Sequence, residues 1–153
     1  MFRQHQRSLF AYFLRLVGNR ADAEELTQET FVRACRAALR YRGDASVRTW
    51  LFAIARRVLM EASRAGLFNR PASIDLVDLP APLVDYEARL DLEREFSALP
   101  LGDREVLMLV DFLGFPASEA AELTGDGPGA FRMRLHRARR RLRERMEVPS
   151  HDR

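Results

Sequence analysis

Phe131-Arg-Met-Arg-Leu-His-Arg-Ala-Arg-Arg-Arg-Leu-Arg-Glu-Arg145 decides the fold of the C-terminal half. Phe131, Leu135, Ala138 and Leu142 recur at helical spacing, and arginines cover almost everything else. A short helical pattern from Pro116 to Leu123 and a Gly125-Asp-Gly-Pro-Gly129 turn precede it. That is the layout of a helix-turn-helix, whose second helix enters the DNA major groove. Relative to the apolar stripe, Ala130, Arg132, Met133, His136, Arg137 and Arg140 point outward. Together with Arg134 they are the candidate DNA readers, because arginine grips guanine through a bidentate contact. Arg139, Arg141, Arg143 and Arg145 suit phosphate, or a merely solvated helix end.

Charge extends this reading outward. Of the 153 residues, all 25 basic ones are arginine, and the net charge is only +3. Its distribution is uneven: +7 over residues 1–70, −10 over 71–131 and +6 over 132–153. Two basic modules around an acidic stretch suggest two polyanion contacts; solvated helix faces are the plainer alternative. The arginine bias by itself fits a GC-rich coding sequence. No run approaches the roughly 20 apolar residues that span a bilayer. Arg3, Arg7 and Arg15 interrupt any signal-peptide pattern, so a cytosolic chain without membrane contact is expected. Cys35, the single cysteine, sits mid-helix among apolar neighbours and is expected to be a buried, inert thiol.

The N-terminal half carries three helical patterns. The first covers about 4–18, with Leu9, Phe10, Phe13, Leu14 and Val17 apolar, and stops at Gly18-Asn19. Asp22 is positioned to cap the second, with Glu25 completing a capping box. Ala23, Leu26, Thr30, Ala34, Ala37 and Tyr41 share one face of it; Glu25, Glu29, Arg33, Arg36 and Arg40 share the other. Arg42-Gly43-Asp44-Ala45-Ser46 breaks the chain and ends in a cap. The third helix, 47–65, buries Val47, Trp50, Leu51, Ile54, Ala55, Val58 and Ala62. Residues 67–83, with Pro71, Pro80 and Pro82, read as a semi-extended linker. Helices follow at 84–97, from Asp103 to Gly114, and then through the helix-turn-helix. No segment alternates like a strand. The expectation is an all-α chain of two small helical domains, 1–66 and 84–148.

Asp22-Ala-Glu-Glu-Leu-Thr-Gln-Glu-Thr-Phe31 and Tyr41-Arg-Gly-Asp-Ala-Ser-Val-Arg-Thr-Trp-Leu-Phe-Ala-Ile-Ala-Arg56 closely resemble region 2 of the extracytoplasmic-function (ECF) sigma factors. Leu99-Pro100, Arg104-Glu-Val-Leu107, Ser118 to Ala121 and Arg134-Leu-His-Arg-Ala-Arg139 resemble region 4 of the same family. The resemblance implies a three-helix region 2 that binds RNA polymerase core and melts the −10 element. It also implies a region 4 that reads the −35 element. Glu25, Gln28, Glu29, Arg33 and Arg36 then look like the surface for the β′ clamp helices. The plainer account of that face is intrahelical pairing such as Glu29–Arg33, worth about 0.2–0.5 kcal/mol. The loop at 42–49 and the next helix look like the element that holds a flipped −10 base, with Arg42, Arg48, Arg56 and Arg57 as the charges. Trp50 matches the family's TWL motif, and its stripe position makes it core. The implied partners are the polymerase core through its β′ clamp helices and β flap, promoter DNA and an anti-sigma factor, with no cofactor.

This chain departs from the family pattern at three places. Its first helix begins nearer the start of the sequence. Arg57 stands where the family often has Asn, and Gly129, Ala130 and Met133 replace small hydroxyl residues in the turn region. A stand-alone helix-turn-helix regulator is the alternative reading; it would need no second basic module and no Trp50-bearing segment. An enzyme is disfavoured: His5, His136 and His151 form no plausible triad, no metal spacing occurs, and the acids sit where caps and solvated faces need them.

Overall fold

A computed structural model describes residues 2–66 and 86–147. The expected linker at 67–83, with Pro71, Pro80 and Pro82, lies outside the described residues. The chain divides into two compact units, Met1–Ile74 and Asp75–Arg153. The described residues of each are helical, with no strand among them.

The first unit packs α1 (Arg3–Val17), α2 (Arg20–Ala37) and α3 (Val47–Arg64). The second half of α1 is buried all round: Leu9, Ala11, Tyr12, Phe13, Leu14, Leu16 and Val17 are all in the core. One stripe was expected there; α1 instead touches both α2 and α3, so two of its faces are covered. Gly18, at φ +71°, ends α1 in the left-handed region. Asn19 then caps α2, its side chain accepting the Asp22 N–H at 3.1 Å. Asp22 is therefore not the cap; it lies in the first turn, where a carboxylate suits the helix dipole. Thr27 and Thr30 face the core and satisfy their hydroxyls on the carbonyls of Ala23 and Leu26, at 2.7 and 2.8 Å. A 3-10 turn (Ala38–Arg40) leads into the loop, and Ser46 caps α3 by accepting the Thr49 N–H at 3.1 Å. Phe52 and Leu59 join Leu51, Ile54, Ala55, Val58 and Ala62 of the expected stripe in the core, while Val47, expected there too, is half-buried. Each such buried Leu or Phe contributes about 1.5–3 kcal/mol. Cys35 is exposed, contrary to expectation: it lies about 100° around α2 from the fully buried Ala34.

The second unit contains α4 (Tyr86–Ser97), α5 (Leu101–Leu107), α6 (Ala117–Thr124) and α7 (Pro128–Glu147). The helix expected from Asp103 to Gly114 begins at Leu101 and passes into a π turn, Met108–Phe112. There the Leu113 N–H reaches back five residues to the Met108 carbonyl at 2.8 Å. Phe112 meets Phe96 of α4 edge-on at 5.5 Å. Phe96, Val106, Leu107, Met108, Leu109, Phe115, Phe131 and Leu135 form the core. Glu93, Glu95 and Glu105 are also buried, not on solvated faces as expected.

Candidate nucleic-acid and partner interfaces

The turn between α6 and α7 is only Gly125-Asp126-Gly127, because Pro128 already opens α7. Gly125, at φ +76°, closes α6, with the Asp126 N–H on the Ala121 carbonyl at 3.0 Å and the Gly125 N–H on the Glu122 carbonyl at 3.2 Å. That double bond pattern sets the exit direction of the chain. Asp126 is then gripped from two sides: Thr124 donates its hydroxyl at 2.9 Å, and Arg134 of α7 donates its guanidinium. Gly102 makes room for this, since a Cβ there would lie 3.0 Å from Arg134 Nη2. Arg134 is thus committed to the turn, while the other candidate readers are not.

The arginines of α7 fall into two sets. Arg139 donates to both oxygens of Asp111 at 3.0 and 2.6 Å, Arg141 to Asp103 at 2.7 Å and Arg145 to Glu95 at 3.0 Å. These three were expected to face phosphate or solvent; the structure turns them onto the acids of α4, α5 and the π turn. The acidic middle of the sequence and the basic helix are complementary parts of one domain. Ala130, Arg132, Met133, His136, Arg137 and Arg140 are exposed, as is Arg143. Arg132, His136, Arg137 and Arg143 have no intramolecular partner among the described residues. Arg140 makes only a loose 3.8 Å contact with Glu144, both solvent-exposed and worth little. Gly129 has no atom within 4 Å of where a Cβ would stand, so the first turn of α7 is open to close approach.

In the first unit a groove of about 450 Å³ runs between α2 and α3. Glu25, Gln28, Glu29 and Arg33 line it, four of the five residues expected on that face; Arg36 is exposed but not in its lining. Leu26, Val58 and Ala62 supply its apolar lining, and Val32 stands 43% exposed at the same groove. Arg33 spans the helices, donating to Glu29 at 2.9 Å and to Glu61 of α3 at 2.6 Å. That hydrogen bond holds the Glu61 carboxyl below the usual carboxylate range. Arg33 is therefore an interhelical clasp as well as a surface charge. Glu61 and Val32 escaped the sequence reading. Glu61 precedes the stripe residue Ala62 in a distant helix, and Val32 is an apolar residue next to the charged Arg33.

Arg42 and Arg57 are exposed, and Arg48 and Arg56 half-buried. Arg42 stands in the loop, Arg48 in the first turn of α3, and Arg56 and Arg57 about 12 Å further along that helix. Arg57 lies about 180° around α3 from Arg48, so the four do not share one face. Trp50, expected in the core, is half-buried. It packs against Tyr41 at 5.0 Å and Phe2 at 6.3 Å, beneath a loop that Tyr41 ties through a hydrogen bond to the Ala45 carbonyl. Among the described residues no group of His, Cys, Asp and Glu could hold a metal, and no helix is long and apolar enough to cross a membrane.

The Sigma-70 region 2 family model matches residues 1–66, and the Sigma-70 region 4 family model matches 89–142. The chain is 33% identical over 133 residues to the ECF RNA polymerase sigma factor SigC of Mycobacterium tuberculosis, covering 83% of this chain and 71% of that protein. It is 31% identical over 153 residues to the ECF sigma factor SigE of Mycolicibacterium smegmatis, covering 94% of this chain but only 59% of that longer protein. Among solved structures it is similar to the sigma factor RpoE in complex with the anti-sigma factor NepR from Bartonella quintana. The identity is 25% and the TM-score 0.81, over 96% of this chain and 94% of that one. It is also similar to CnrH in complex with the cytosolic domain of CnrY, at 26% identity and TM-score 0.74, over 97% of this chain and 86% of that one.

Proposed function

Because this chain belongs to the ECF RNA polymerase sigma factors, we propose that it is a non-catalytic promoter-specificity subunit, which joins bacterial RNA polymerase core in the cytoplasm and directs initiation. The observation that carries this reading is the pairing of two unlike surfaces in one chain. One is a mixed-charge groove on a region 2 unit; the other is an outward arginine face on a region 4 helix.

The groove between α2 and α3 suits a helical partner with an apolar stripe and a basic flank. Leu26, Val32, Val58 and Ala62 would take the stripe, and Glu25 and Glu29 the charges. The β′ clamp helices are the proposed occupant, and the β flap the proposed contact of the second unit. Opening the −10 element extracts a base from the stack at a cost of a few kcal/mol, so the freed strand needs binding energy of its own. Arg42, Arg48, Arg56 and Arg57, strung along the loop and α3, are the proposed backbone contacts. Arg132, His136 and Arg137 are the proposed −35 readers, with Arg140 and Arg143 on phosphate. Of the two solved relatives, RpoE is in complex with the anti-sigma factor NepR and CnrH with the cytosolic domain of CnrY. We infer that a comparable partner restrains this chain by covering the same faces.

A stand-alone helix-turn-helix regulator has no use for the region 2 unit. Pull-down of core polymerase by the full chain, followed by run-off transcription on genomic fragments, tests the proposal. Core should be retained and start sites should appear only when both components are present.

A further inference from the structure

We infer that Met133 reads a thymine, packing its thioether side chain on the 5-methyl group in the −35 major groove. This deepens the proposed −35 reading of α7 and rests on it.

Met133 is 54% exposed on an otherwise charged helix face. Arg132 adjoins it, His136 and Arg137 stand one turn further on, and Ala130 one turn before. Those three polar neighbours have no intramolecular partner among the described residues. An apolar tip beside the unpaired guanidiniums of Arg132 and Arg137 is badly placed to meet an apolar protein surface, because the guanidiniums would be desolvated with it. It is well placed in the major groove. There every base edge presents hydrogen-bond donors or acceptors, except for one apolar feature, the methyl of thymine. Methionine is suited to such a contact, being unbranched, polarizable and able to adapt its rotamers. The short Ala130 side chain and the open backbone at Gly129 let α7 sink far enough for it to reach.

The helix also sets the register. Met133 and Arg137 are four residues apart, about 6 Å along the axis. At 3.4 Å per base step, the thymine should lie within about two base pairs of the pair that Arg137 touches.

The test uses holoenzyme assembled from the full chain and core polymerase. Promoter duplexes are first selected from a pool randomised over the −35 segment. Each selected thymine is then replaced singly by deoxyuridine, which removes only the methyl. One replacement should weaken wild-type binding about fourfold, the worth of one apolar methyl contact. Met133→Ala should bind thymine and uracil equally at that position. Met133→Leu should keep the preference, and Arg137→Ala should keep it while losing its own base. Selected sites lacking a thymine within that reach, or wild-type holoenzyme indifferent to every deoxyuridine, would overturn the inference while leaving −35 reading intact. Met133→Ala still sensing the methyl would do the same. Selection that yields no −35 preference at all would overturn the underlying reading, and this one with it.

Discussion

Arg139 of α7 and Asp111 of the π turn, 28 residues apart, are joined by two hydrogen bonds at 3.0 and 2.6 Å. The pair turns an arginine of the most basic helix inward, onto its own domain. Asp111→Asn or Arg139→Ala should lower the stability of the second unit by about 0.5–1 kcal/mol, because both side chains remain partly solvated. Neither should change the slope of promoter affinity against salt. Arg143→Ala should do the reverse: unchanged melting, weaker binding to all promoters alike, and a slope reduced by about one counterion. Thermal melts and binding at several salt concentrations separate the two sets.

The Arg33–Glu61 clasp changes what a mutation on the groove can report. Charge reversal at Arg33 should loosen α2 from α3, so weakened polymerase binding would be ambiguous. Reversal at Glu25, exposed at the groove and in no ion pair among the described residues, should weaken core binding with an unchanged melt. Exchanging the clasp by Arg33→Glu with Glu61→Arg should restore part of the melt, the Glu29 hydrogen bond being lost. Binding that stays weak in that folded double variant assigns Arg33 to the partner; full recovery assigns it to the fold alone.

Acid should act on the same clasp with a definite sign. The Arg33 hydrogen bond lowers the folded-state pKa of Glu61. Its contribution is then complete above the ordinary carboxylate range and is lost as pH falls through the depressed folded value. The stability difference between the wild type and Glu61→Gln should be largest near neutrality and vanish in acid. A difference that grows on acidification contradicts the clasp.

Arg132→Ala and Arg137→Ala should each alter −35 preference, costing about 1–3 kcal/mol at the affected base pair. Binding of holoenzyme to −35 variants decides. A uniform loss at all sequences makes these arginines backbone contacts and leaves base preference to DNA shape.

Cys35 should react with a maleimide in the folded chain without prior unfolding. Protection in the native state would contradict the exposed placement on α2.

Helix periodicity made most of this fold legible. Most of the stripes of α2, α3 and α7 needed only local spacing, though Val47 and Trp50 are half-buried, and Gly18 and Gly125 marked true ends. What escaped depends on contacts between distant segments. Acids at 95, 103 and 111 look like an independent negative stretch until α7 lies against them. Asn19 outranked Asp22 as a cap because Gly18 ends α1 so abruptly that the next helix starts at once. The π turn has no periodic signature, since one widened turn shifts the register without changing composition. At the groove, periodicity picked out the charged face of α2 but not Glu61, whose position opposite Arg33 is a property of packing.

The most direct test of a sigma factor is promoter opening that needs both components. A promoter fragment with 2-aminopurine at the −10 position is mixed with core polymerase, with this chain, or with both. Fluorescence should rise only with both, and the rise should be abolished when Arg42, Arg48, Arg56 and Arg57 are all replaced by Gln in a chain that still binds core. Tight sequence-specific binding by the chain alone, unaffected by core and without opening, would contradict this and favour a stand-alone regulator.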